Sequence, residues 1–229
     1  HRRDGYVFDA GPTVITAPWL FAELFELFGR RIEDELTFAP VDPWYRIVFD
    51  DGTSFDYDGD VEHALAQVRD IEPRDADGML RMLRQCERIY EVGFERLGDV
   101  PFLSLGTMIA AIPQMIRLGS FRSTWGFVSR HLRDHRLRRV FSFQPLLVGG
   151  NPLTTTSIYA LIQVVERRFG IHYTMGGTGA LVAALGRLME DVGIDIRLGA
   201  DVERVATAGG RVCGVDLAGG TRIPADRVV

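Results

Sequence analysis

The sequence contains no lysine, and all 26 of its basic residues are arginines. That excludes a Schiff-base lysine and a P-loop lysine, because both chemistries use the ammonium itself. Cysteine is nearly as scarce, with Cys86 and Cys213 alone. Two thiols without CxxC spacing give neither a disulfide framework nor a zinc site, so a reducing compartment is expected. Positive charge is not in excess either. The 31 acidic residues outweigh the 26 basic ones, the formal net charge is −5, and broad electrostatic capture of nucleic acid is not expected. No signal peptide, internal repeat or low-complexity linker is visible in these residues. Apolar mass is ample: 46% of the 229 residues are hydrophobic, enough for one large domain or two small ones and too much for general disorder. A start at His1 and an end in Arg227-Val228-Val229 read as a piece of a longer protein.

Two uncharged runs stand out. Residues 140–165 carry no charge over 26 positions, long enough to reach across a bilayer. Pro145, Gly149-Gly150-Asn151-Pro152 and Thr154-Thr155-Thr156-Ser157 would break such a helix, so a turn-and-helix pair inside a protein is expected. Residues 100–116 form a 17-residue uncharged stretch followed by Phe121, Arg122, Trp125, Arg130 and Arg133. An apolar stretch beside arginines and aromatics suits a helix pair at a membrane surface. A core hairpin with an arginine-rich outer face fits the pattern equally well.

The periodicity changes along the chain. Residues 18–28 repeat Leu20, Leu24, Leu27 and Phe28 at helical spacing, with Gly29 as the stop. Residues 44–57 alternate around Asp51-Gly52 and predict a β-hairpin. Helical patterns then run to about residue 168. Asp60 caps the first, Pro73 opens a second carrying Leu80, Leu83, Cys86, Tyr90 and Leu97, a third covers 121–132, and 156–168 is apolar nearly all round. After Met175-Gly176-Gly177-Thr178-Gly179 comes a helix through Val192. Strands are expected at 194–198, 201–205, 211–217 and 221–223. The helical middle thus reads as an insertion into an α/β body.

Few residues announce chemistry. Glycines ahead of the helix at 178 could let amides approach a phosphate, but the pattern is neither a Walker loop nor GxGxxG. Phe8-Asp9-Ala10-Gly11-Pro12-Thr13 is a strand end running into a turn whose backbone could face a flat ligand. His131 and His135 stand at i and i+4 without the Glu of HExxH or a third ligand, so no metal is expected. Asp134 and Arg138 share that spacing, either as a solvated helix pair or as a charged pair at the mouth of an apolar cavity. Glu166-Arg167-Arg168 reads as a helix end or a buried ion-pair cluster.

Taken in order, residues 8–16, residues 100–104, Phe141-Ser142-Phe143, Leu146 through Pro152, Ser157-Ile158-Tyr159, Glu166-Arg167 and Gly176 through Leu181 together resemble the bacterial and fungal-type phytoene desaturases. These are carotenoid-forming flavoproteins of the amine-oxidase-like superfamily, and the likeness covers nearly the whole chain. It implies an α/β fold in which a Rossmann-type FAD domain is split by a largely helical substrate and membrane domain. The FAD segments would be 1–17 and 175–229, and the inserted domain 18–174. It implies noncovalent FAD, a lipophilic polyene substrate, and peripheral attachment to the cytoplasmic face of the cell membrane. No nucleic-acid partner is implied.

Position by position, the resemblance places Gly11, Pro12 and Thr13 near the flavin ring, Gly176 and Gly177 at its border, and the backbone of Val202 at the adenine. It places Asp134 and Arg138 close to the reaction centre, and on physical grounds Asp134 is then expected to take or relay the proton while Arg138 holds it ionised. A polyene has almost no polar handles, so the uncharged run is expected to line an apolar tunnel, with Phe141, Phe143 and Leu147 facing substrate. Alternatives stay open: a desaturase of hydroxy-, methoxy- or C30 carotenoids, a carotenoid isomerase, or a noncatalytic lipid-binding module.

Overall fold

The computed structural model describes residues 2–96 and 105–229. Leu97 and the segment 100–104 lie outside the described residues. The chain forms two compact units, His1–Val182 and Ala183–Val229. The first unit opens with β1 (Arg2–Arg3) and β2 (Tyr6–Val7), followed by β3 (Val14–Ile15), α1 (Pro18–Glu26) and β4 (Phe38–Pro40). The expected hairpin is β5 (Tyr45–Val48) with β6 (Ser54–Tyr57), in the register Tyr45↔Tyr57 to Val48↔Ser54. Gly52 supplies the left-handed turn position at φ 80°.

The helical body is α2 (Val61–Ile71), α3 (Ala76–Tyr90), α4 (Leu105–Leu118), α5 (Thr124–Val128), α6 (His135–Val140) and α7 (Ile162–Phe169). It is followed by β7 (His172–Thr174) and by α8 (Thr178–Asp191), which runs from the first unit into the second. Local chemistry explains the boundaries. Asp60 caps α2 by accepting from the amides of Glu62 and His63. Helix α3 buries Met79, Met82, Leu83, Cys86, Ile89 and Tyr90, a stripe at three- and four-residue spacing. Those side chains pack with Phe55, Val68, Leu137, Phe141 and Val164 in one core.

Long-range polar contacts hold the shorter elements. Asp75, fully buried ahead of α3, accepts from the amide of Arg133 at 2.8 and 2.9 Å and from that of Asp134 at 2.9 Å. The expected helix over 121–132 contracts to α5. The chain at its start turns to meet the threonine cluster instead, with the Thr124 amide donating to the Thr155 carbonyl and the Ser157 amide to that of Arg122. Arg167 and Arg168 on α7 pair with Glu87 on α3, and Arg168 also with Glu95.

The second unit holds the end of α8 and an antiparallel meander in the order β10 (Arg222–Pro224), β9 (Arg211–Leu217), β8 (Val202–Ala208). Residues 194–198, expected as a strand, are not one. They alternate Ile and charged residues but are exposed and make no ladder among the described residues, and a strand needs a paired edge. Helices and sheets thus both build the molecule, as the α/β class requires. The expected divisions at 17/18 and 174/175 border one three-stranded sheet of the first unit, β3-β7-β4.

Candidate active site

That small sheet assembles the glycine turns. Strand β7 pairs antiparallel with β3 through Val14↔Tyr173 and Ile15↔His172, and with β4 through Phe38↔Thr174. The residues just before β3 and just after β7 therefore meet at one end of the sheet. Gly11, Gly176 and Gly177 all lie there with φ of 95°, 88° and 82°, a region that favours glycine. The two turns are clasped by side chains. The Asp9 carboxylate accepts from the Thr178 amide at 3.1 Å, and the Thr178 hydroxyl donates to the Pro12 carbonyl at 2.8 Å.

This clasp answers the question of a phosphate seat. A carboxylate at the first turn of α8 is favoured by the helix dipole, and here Asp9 takes the amide that an anion would use. Gly177 has no room for a side chain, because a Cβ would fall 2.6 Å from an Asp9 carboxylate oxygen. In front of Gly11 there is nothing within 4 Å of such a carbon. The site is thus a rigid backbone surface, open at Gly11, beside exposed Tyr173 and Met175. A flat heteroaromatic ring, such as the flavin ring that the resemblance implies, fits an open backbone surface of this kind. Val202 belongs to the second unit. It opens edge strand β8, opposite Leu217, and is about half exposed, so its outer backbone edge is available.

Asp134 and Arg138 do not form the expected pair. Asp134 is the N-cap of α6 and accepts from the amides of Arg136 and Leu137, while its charge partner is the Arg136 guanidinium at 3.3 Å. Partial burial works against ionisation, but these hydrogen bonds prevail and hold the carboxyl below its usual range. Arg138 donates from Nε to the Leu132 carbonyl at 2.9 Å. The i, i+4 spacing fails because residue 134 lies outside the helix, where capping geometry directs its side chain back onto the backbone. His131 and His135 do not share a helix for the same reason. His131 sits beyond α5 with Nδ1 3.0 Å from the Phe127 carbonyl, and His135 begins α6.

Of the three substrate-facing candidates, Phe141 is core. It is 1% exposed and packs edge-on against Phe55 and Tyr57 at ring separations of 5.7 and 6.1 Å. It borders a recess of about 10 Å³ with Tyr57, Leu83 and Arg167, far below the roughly 300–1,000 Å³ of drug-sized ligand pockets. Phe143 is half-buried against the Tyr45 ring at 5.0 Å. Leu147 is exposed, within the apolar surface Leu146-Leu147-Val148. The periodic pattern could not separate core from lining, since both call for apolar residues.

Glu166, on the inner face of α7, is fully buried and accepts from the Tyr45 hydroxyl at 3.2 Å through Oε1. Among the described residues its other oxygen has no hydrogen-bond partner, and the buried amide of Gln144 lies beside it. Burial pushes Glu166 up to about 8, and burial together with the Glu166 charge pushes the Tyr45 phenol up as well. The sequence grouped Glu166 with its arginines. The structure sends those outward to Glu87 and Glu95 and Glu166 inward, a split visible only in that Glu166 shares a helix face with Gln163.

Comparison with known proteins bears on the whole chain. The sequence model of the flavin containing amine oxidoreductases matches residues 1–229. The chain is 45% identical to a lycopene-forming phytoene desaturase of Pseudescherichia vulneris over 98% of this chain and 46% of that protein. It is 41% identical to a lycopene-forming phytoene desaturase of Pantoea ananas over 97% of this chain and 45% of that protein. It is 34% identical to a neurosporene-forming phytoene desaturase of Rhodobacter capsulatus over 99% of this chain and 44% of that protein. The chain thus spans about half the length of the curated relatives it matches.

Proposed function

The chain belongs to the flavin-containing amine oxidoreductase family, and we propose that it serves an FAD-dependent desaturase that oxidises phytoene to neurosporene- or lycopene-type carotenoids. The observation that carries this reading is the clasped pair of glycine turns, in a chain whose full length matches that family. When bound, FAD supplies the hydride acceptor. The chain's own residues supply placement. Gly11, Pro12, Thr13 and Gly176 offer backbone to the ring face, while Asp9 and Thr178 fix the spacing of the two turns. Phe143 and Leu147 give apolar surface to a substrate without polar handles. Asp134 and Arg138 act as positioning residues, because they fix the two ends of the turn that starts α6 and leads into Phe141–Phe143.

In this reading the enzyme works at the cytoplasmic face of the cell membrane, where its substrate dissolves. Support comes from α4, which exposes Ile109, Ile112 and Ile116 along one side, with Phe121 following. Among the described residues, no helix is long and apolar enough to cross a membrane. The test is purification of the full-length protein. Flavin absorbance, together with conversion of phytoene in liposomes to coloured polyenes, is the expected result. A colourless, folded protein that binds liposomes without converting phytoene would sink the proposal in favour of a lipid-binding module.

A further inference from the structure

Between α3, the end of α4 and the turn after α5 lies a recess of about 450 Å³, lined by Arg81, Ile116, Arg117, Arg122, Arg130 and His131 among others. Its charged lining is basic throughout and includes no carboxylate. Each of the four arginines is exposed, and none has an ion-pair partner among the described residues. Elsewhere some arginines are paired, as at Asp56, Glu72, Glu87 and Asp216, and others such as Arg69, Arg84 and Arg211 have no ion-pair partner among the described residues, so what sets these four apart is their convergence on one hollow. Four unpaired guanidiniums held around one hollow repel one another unless an anion enters. Burial, working against a hydrogen bond to the Phe127 carbonyl, pushes His131 below its usual range, and the charges of Arg81 and Arg130 add to that.

The rim supplies the second half of the argument. Ile109, Ile112 and Ile116 are 63%, 41% and 61% exposed and lie at i, i+3 and i+7, so they form one stripe on α4 that runs into Arg117 and the recess. Phe121, 70% exposed, continues the apolar surface just before Arg122. A soluble anion would use the hollow and leave the stripe bare. A bilayer carrying anionic lipid satisfies both at once, since guanidinium forks bind phosphate in two-point fashion and apolar side chains enter the acyl boundary beside them.

We propose that this recess seats the phosphate of an anionic membrane lipid, with Ile109, Ile112, Ile116 and Phe121 inserted beside it and α4 lying along the bilayer surface. The inference rests on the membrane-attached reading above and adds the lipid chemistry and its residues.

The test is co-sedimentation of the full-length protein, without substrate, with vesicles of phosphatidylcholine alone and mixed with phosphatidylglycerol. Binding should favour the anionic vesicles and fall with added salt. R81Q/R117Q/R130Q should weaken anionic-vesicle binding about a hundredfold, about fivefold per arginine. R69Q/R211Q/R227Q removes the same charge elsewhere and should cost only a few-fold. Equal losses in the two triple variants, at equal melting temperatures, would reduce the effect to overall charge and overturn the proposal. Inorganic phosphate is the second probe. If it binds the protein tightly without vesicles, and I112D/I116D binds vesicles like the parent, the site serves a soluble phosphate and the proposal fails. Because no step requires turnover, failure here leaves the desaturase reading intact, and a failed phytoene conversion leaves this result standing.

Discussion

At the scale of single residues, two carboxyl groups do different things. Asp9 accepts from the α8 amide while filling the space that Gly177 leaves. Replacing Asp9 by Ala removes that hydrogen bond and frees both turns. FAD affinity should fall about tenfold, the equivalent of one hydrogen bond of roughly 1.4 kcal/mol, as read by flavin fluorescence during titration. An unchanged affinity would separate the clasp from the cofactor. Glu166 is neutral when folded, with a pKa near 8 against an ordinary value of 4.5. A raised folded value means that the folded state holds a proton that the unfolded state releases. Stability is therefore full below about pH 4.5 and erodes as pH rises towards about 8. Glu166→Gln cannot ionise, so its melting temperature should stay flatter than the parent's from pH 5 to 8 and exceed it at the upper end. Parallel profiles would show that the acid is ionised in place.

At the scale of elements, α3 and the 131–134 turn pack with no room between their backbones at Gly78. A Cβ on Gly78 would sit 2.0 Å from the His131 carbonyl oxygen. In an open helix Gly→Ala gains about 1 kcal/mol. Here Gly78→Ala should instead destabilise by about 2 kcal/mol in urea unfolding, because backbone has to move to admit the methyl. Elements decided by neighbours in sequence were legible. The Asp51-Gly52 hairpin, the Asp60 cap and the Gly29 stop each follow from two or three adjacent residues. Elements decided by distant partners were not. Nothing near Asp75 indicates that it grips amides 58 and 59 positions away, and three-residue β7 becomes a strand only because β3 and β4 flank it. The site divides in the same way. The glycine turns were legible as turns and as a family resemblance, whereas the Asp9 clasp and the inward turn of Glu166 depend on tertiary contacts.

At the scale of the whole molecule, uncharged sequence served two ends that composition could not tell apart. Much of residues 140–165 went into a helical core around Phe141, Ala160 and Val164, while the stripe on α4 stayed at the surface beside unpaired arginines. The absence of lysine makes that basic face purely guanidinium, suited to two-point phosphate recognition. The core also contains a chemical clock. Cys86 is completely buried within it, and burial pushes its thiol up to about 12, whereas Cys213 is half-buried on β9 in the other unit. An alkylating reagent should consume one equivalent at Cys213 promptly and a second only as fast as the helical core opens. Mass spectrometry of the two adducts against time would then measure how long the core stays shut, and Glu166→Gln should lengthen that interval at pH 8.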